Sequence, residues 1–231
     1  MTDNQARDLR DRHANLWSQQ LKTNVLRYPE TAIVAWLARS FPDRQANRNR
    51  AALDIGFGSG RNFALLADFG FDIHGLEISE TAIAEGEAVL GGLGLTGHLN
   101  HCALEEHGYE AGAFTALIFW GGVFLAPLPV MKENLRRCYD LLASGGRMIL
   151  NFRTPDNWFH GLGREVVPYG YELDERAGPY AGNTYIFLPE AVSRSLLTDA
   201  GFVVDNMERL DNWKANGTQQ HSWHIYWVRK P

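Results

Sequence analysis

Cysteine is scarce: Cys102 and Cys138 are the only two in 231 residues. That is too few, and too widely spaced, for a disulfide framework or a thiolate metal site, and it fits a reducing compartment. Long apolar runs are also missing, and the stretch from Met1 to Arg12 is polar, without the apolar centre of a secretion signal. A cytoplasmic protein that does not engage a membrane is the expectation. Net positive charge is lacking too, since 22 Lys and Arg stand against 27 Asp and Glu. No broad positive field is available to hold a phosphate backbone against salt, so nucleic acid is not the expected partner. Arg7, Arg10, Arg12, Arg44, Arg48 and Arg50 do cluster, but among Asp3, Asp8, Asp11 and Asp43, as a solvated surface would. Internal repeats and low-complexity segments are absent from the sequence.

What is present suits one compact domain over 1–231, with 45% hydrophobic and 12% aromatic residues. Leu9, Leu16, Trp17 and Leu21 recur at near-helical spacing among charges, which predicts an amphipathic helical cover over 5–21. Pro29 in a first turn, then Ile33, Val34, Trp36 and Leu37, predicts a second helix ending near Phe41 and Pro42. The cover thus occupies 1–42. Within 51–152, short apolar runs at 51–55, 72–76, 97–101, 114–120 and 146–152 alternate with helical stretches near 60–69, 79–91 and 128–142. Such alternation predicts an α/β fold with a mostly parallel sheet and helices on both faces. Over 189–231 follow a helix opened by Pro189, a strand at 202–210, the turn signal Asn216-Gly217 and an alternating strand from His221 to Val228, read as a C-terminal hairpin on the sheet edge.

The chemistry is carried by a strand that ends in Asp54 and runs through Ile55 into Gly56-Phe57-Gly58-Ser59-Gly60. Glycine lets backbone approach a ligand that a Cβ would hold off. The dinucleotide fingerprint needs its third glycine where Arg61 stands, and Asp54 would repel a pyrophosphate while suiting an ammonium. Glu77 closes the next strand, where a carboxylate can accept from two ribose hydroxyls or cap the helix that follows.

The order of these elements, with Phe114 to Gly121 as fourth strand and turn and Leu141 to Arg147 before the fifth, resembles class I S-adenosylmethionine-dependent methyltransferases. A narrower resemblance is to small bacterial methyltransferases with Asn-Phe-Arg-Thr-x-Asp after strand five, here Asn151 to Asp156, followed by Gly161, Gly163 and Glu165. The resemblance implies a Rossmann-like, seven-stranded sheet with an antiparallel C-terminal hairpin, and S-adenosylmethionine as cofactor. By position it assigns Asp54, Gly56, Gly58, Gly60 and Asn62 to the methionyl half, Glu77 and Ile78 to the ribose and adenine, and Ala103 and Leu104 to the adenine edge. The family often has an acid at that edge, and this sequence has Cys102-Ala103. Trp120 would present an aromatic face to the sulfonium or pack as core.

The acceptor is expected beyond the carboxyl ends of strands four and five. Residues 153–188 are long for a loop, which predicts a substrate lid, with 169–173 and 184–188 pairing as strands. Its aromatic content suits a small, partly apolar molecule. His160 is the first candidate base, ahead of His221 and His224. Arg153 would clamp an acceptor carboxylate or pair with Asp156, the structural pairing being favoured. Trp17 and Tyr28 are expected in the core, with contact to the cofactor as the alternative. No metal is expected, because His98 and His101, like His221 and His224, sit at strand spacings that face opposite sides. The expected activity is methyl transfer to a small-molecule acceptor at O, N or S. The competing readings are a non-catalytic S-adenosylmethionine-binding module and an NAD-dependent dehydrogenase, and the first helices are also candidates for a homodimer interface.

Overall fold

The computed structural model describes residues 3–23, through the backbone alone at 3–9, 20, 22 and 23, and residues 25–231. The expected contributions of Arg7 and Leu9 therefore lie outside the described side chains. Seven strands form one sheet in the order β3-β2-β1-β4-β5-β10-β9. They are β1 (Ala51–Ile55), β2 (Asp72–Glu77), β3 (Gly97–His101), β4 (Phe114–Phe119), β5 (Leu142–Arg153), β9 (Val203–Lys214) and β10 (Gln219–Arg229). The first five run parallel, and β10 is antiparallel to both β5 and β9. This is the expected fold class.

Strand residues alternate between two cores. Leu53, Leu117, Met148, Leu150, Tyr226 and Val228 face one way, where α5 (Leu128–Leu141) lays down Met131, Leu135, Cys138 and Leu141 at helical spacing. Ala52, Ala116, Ile118, Ile149, Ile225 and Trp227 face the other, against Ile33, Trp36 and Leu37 of α2 (Thr31–Ser40) and Phe63 and Leu66 of α3 (Phe63–Asp68). Two-sided burial explains the nearly unbroken apolar runs of β1 and β4.

Several boundaries moved for local reasons. α2 takes Glu30 as its N-cap, so Pro29 precedes the cap rather than sitting in the first turn. α3 starts only at Phe63, because Gly60 holds a left-handed φ of 73° that no helix tolerates. α4 spans Glu80–Leu93, and α6 spans Glu190–Asp199. β5 begins at Leu142, its pairing to β4 shifting before Arg147, and β9 continues to Lys214.

The N-terminal helix α1 spans Asp3–Thr23. Segment 153–188 folds into an antiparallel sheet of β6 (Arg164–Val167), β7 (Gly170–Glu172) and β8 (Thr184–Ile186). The pairing of 169–173 with 184–188 is as expected from sequence; β6 was not anticipated.

Candidate functional site

In the sheet order, the chain steps from β1 to β2 and β3 on one side and then crosses back to β4 on the other side of β1, and this reversal opens a crevice at the carboxyl ends of the strands. Asp54, 99% buried, stands there at the end of β1 and accepts from Asn62 Nδ2 at 2.9 Å. Burial pushes its carboxyl up to about 7, and the Asn62 hydrogen bond and the Arg61 charge only partly oppose that rise. Asn62 Oδ1 is buried without a hydrogen-bond partner.

The loop after Asp54 turns through left-handed φ values at Gly56, Gly58 and Gly60. Gly58 meets a second demand as well, because a Cβ on it would lie 3.0 Å from Cζ2 of Trp17. Glu77 ties the neighbouring strand to this loop. Its Oε2 accepts from the Gly58 amide at 3.0 Å, and its Oε1 accepts from the amides of Ile78 at 2.8 Å and Ser79 at 3.2 Å. The actual N-cap of α4 is Ser79, whose hydroxyl accepts from Ala82 N. Burial raises the Glu77 pKa, while these three amides counter it.

Ala103 and Leu104 are buried after β3, and the Ala103 amide donates to Glu106. Glu106, three residues downstream, thus brings a carboxylate to the turn after β3, where Cys102 and Ala103 supply none. Trp120 is half-buried against the α2 and α3 side, and the next residue, Gly121, donates its amide to Asn151 Oδ1 at 2.8 Å.

α1 crosses above this crevice. His13, Trp17 and Leu21 form one stripe, spaced four apart. Trp17 lies over Gly58, Ser18 shares a 2.7 Å hydrogen bond with Ser79, and Arg10 pairs with Glu105 at 2.6 Å. The helix also reaches the 153–188 segment: His13 Nε2 accepts from the Thr184 amide at 3.3 Å, and Arg12 approaches Glu172 at 3.4 Å. Burial holds the His13 imidazole neutral, its pKa down at about 4. Trp17 is thus a contact of the glycine loop, and Tyr28, 82% exposed, is not a core residue.

Beyond the ends of β4 and β5, Arg153 is buried among rings. Its guanidinium carbon lies 4.2 Å from the ring centre of Trp223, 4.4 Å from Tyr185, 4.7 Å from Phe124 and 5.1 Å from Phe159. The expected Arg153–Asp156 pair does not form. Asp156 pairs with Arg209 at 2.7 Å on the exposed side, and Arg153 Nη1 instead donates to Asn157 at 3.3 Å.

His160 is exposed, its ring on Tyr171 and Phe187, so the residue that this turn contributes to the Arg153 cluster is the preceding Phe159. His221 packs edge-on against Phe159 with Nε2 buried and unpartnered, whereas His224 lies near Tyr226. Among the described residues, no three His, Cys, Asp or Glu side chains are grouped to hold a metal.

Residues 52–146 match the family model of a methyltransferase domain. No curated protein matches the sequence. Solved structures similar in fold include a SAM-dependent methyltransferase from Methanosarcina mazei, with TM-score 0.66 and 16% identity, over 82% of this chain and 97% of that one. A second is 1,6-didemethyltoxoflavin-N1-methyltransferase from Burkholderia thailandensis with bound 1,6-didemethyltoxoflavin and S-adenosylhomocysteine, at 0.65 and 20%, over 96% and 90%. A third is magnesium protoporphyrin IX methyltransferase from Synechocystis PCC 6803 with bound SAM, at 0.60 and 17%, over 100% and 86%.

Proposed function

We propose that this chain, a class I methyltransferase by its fold and by the domain match over residues 52–146, transfers a methyl group from S-adenosylmethionine to a small-molecule acceptor at O, N or S. The observation that carries the reading is Asp54. A buried carboxyl in none of the ion pairs among the described residues, with Arg61 engaged by Glu30 instead, stands next to the orphaned Asn62 Oδ1 and an open-backboned glycine turn and fits the ammonium of an amino acid. Three backbone amides occupy three of the roughly four lone-pair sites of Glu77, so Oε2 keeps one that can take a ribose hydroxyl. Ile78, Ala103 and Leu104 would flank the adenine, and Trp120 would stand at the sulfonium side.

S-adenosylmethionine supplies an activated methyl on a sulfonium, so the chain's own task is alignment and exclusion of water. α1 and segment 153–188, joined through His13 and Thr184, would close over the two halves of the site. Where the acceptor needs to lose a proton, His221 is the better-placed base, being neutral with a free buried nitrogen, and His160 the less well placed. The Burkholderia enzyme with its bound 1,6-didemethyltoxoflavin supports a small acceptor. Calorimetry with S-adenosylhomocysteine tests the cofactor half directly: tight binding to the wild type, weakened in Asp54→Ala and Glu77→Ala, is the expected result. Unchanged affinity in both variants contradicts the assignment.

A further inference from the structure

Arg153 is 94% buried, yet none of the ion pairs among the described residues includes it. Its nearest acid in sequence, Asp156, is turned away to Arg209. Its polar contacts are a long hydrogen bond to Asn157 Oδ1 and the Tyr185 hydroxyl, while Nε is buried with no partner. The four surrounding rings offset part of the cost of burying the cation, but a ring face cannot accept the in-plane N–H bonds of the guanidinium fork. A second orphan lies in the same cluster, since His221 Nε2 is buried and unpartnered where that ring meets Phe159. Two unsatisfied polar groups in one aromatic nest beyond the ends of β4 and β5 mark a place prepared for a ligand rather than a finished core.

Resting on the transferase reading above, we infer that the acceptor is a planar aromatic acid whose carboxylate docks on Arg153 while its ring packs on Trp223, the partly exposed member of the nest. A carboxylate matches the guanidinium fork in geometry and supplies the missing charge. Phe124, Phe159 and Tyr185 meet edge-on and are buried around the guanidinium, while Trp223, tilted against Phe124 and partly exposed, offers a flat guest a ring to pack on. Burial has lowered the Arg153 pKa to about 10, and an anion beside it would raise it again, so the guanidinium remains charged throughout the neutral range.

The test is calorimetry on the full chain loaded with S-adenosylhomocysteine, using two matched pairs: benzoate against benzamide, and indole-3-acetate against indole-3-acetamide. The expected result is that an acid binds about tenfold or more tightly than its amide, that Arg153→Gln abolishes the preference and that Arg153→Lys keeps part of it. Equal affinity of acid and amide in both pairs, or a preference that survives Arg153→Gln, overturns the inference. Should Arg153→Gln not fold, the wild-type comparison decides by itself. If S-adenosylhomocysteine fails to bind, the transferase reading fails separately, and the same pairs on the free protein still judge Arg153.

Discussion

The indole of Trp17 lies directly over Gly58, so close that a methyl group on the glycine would stand 3.0 Å from Cζ2. One residue belongs to the N-terminal helix and the other to the turn after β1, and their contact makes α1 a roof on the proposed cofactor pocket.

A roof must open for a ligand to enter. Trp17→Ala is expected to speed both association and dissociation of S-adenosylhomocysteine, each several-fold, with a smaller change in Kd. Stopped-flow measurement checks this, and rates equal to wild type would show that α1 does not gate the site. Because Arg10–Glu105 and Arg12–Glu172 hold the helix from its exposed side, wild-type rates should also rise with salt.

Gly58→Ala should fail for two independent reasons, a left-handed φ of 59° and the overlying indole. The backbone part alone costs about 1 kcal/mol. The variant is expected to unfold a few degrees earlier and to bind S-adenosylhomocysteine at least about tenfold more weakly. A Gly58→Ala, Trp17→Ala double variant should recover part of the loss, and complete absence of recovery would mean that the two residues do not couple.

Asp54 gives a pH dependence of definite sign. Its carboxyl rises from 3.8 to about 7 in the folded chain, so between those values the unfolded state holds fewer protons. Asp54 therefore lowers the stability of the free protein as pH rises through that window. A bound ammonium removes the penalty and drives the proton off. Thermal stabilisation by S-adenosylhomocysteine should accordingly grow from about pH 5.5 to about pH 8, with proton release below about pH 7. His13 and His221, both lowered to about 4, make stability rise with pH below about 6.5, so bound and free protein must be compared at each pH. Stabilisation that stays flat across the range contradicts the role given to Asp54.

His221→Gln should reduce product formation about tenfold or more if the acceptor must lose a proton, whereas His160→Ala should change it less than about twofold. The contrast follows from burial: His221 Nε2 is enclosed and unpartnered, and His160 is exposed. The reverse ranking would restore His160 as the base.

Asp54, the glycines and Glu77 were legible in the sequence because strand, turn and helix follow one another within thirty or so residues and each demands a residue type of its own. The sheet order was legible for the same reason, through the alternation of short apolar runs with helices. Contacts set by distant chain were not. Arg153 sits three residues from Asp156, which made that pair attractive on paper, but Asp156 found Arg209, and Arg153 found rings drawn from four separate stretches of chain. In the same way nothing local announces that His13 meets Thr184 or that Trp17 meets Gly58. Phe159 and His160 show how narrow the margin is, since turn geometry alone decides which neighbour faces inward.

The most direct test of methyl transfer to a small molecule is incubation of the protein with methyl-labelled S-adenosylmethionine and a metabolite extract, followed by mass spectrometry. The account predicts that a small aromatic acid gains one labelled methyl while S-adenosylhomocysteine accumulates, and that Asp54→Ala suppresses both. Tight S-adenosylhomocysteine binding with no labelled small molecule in any extract would contradict it.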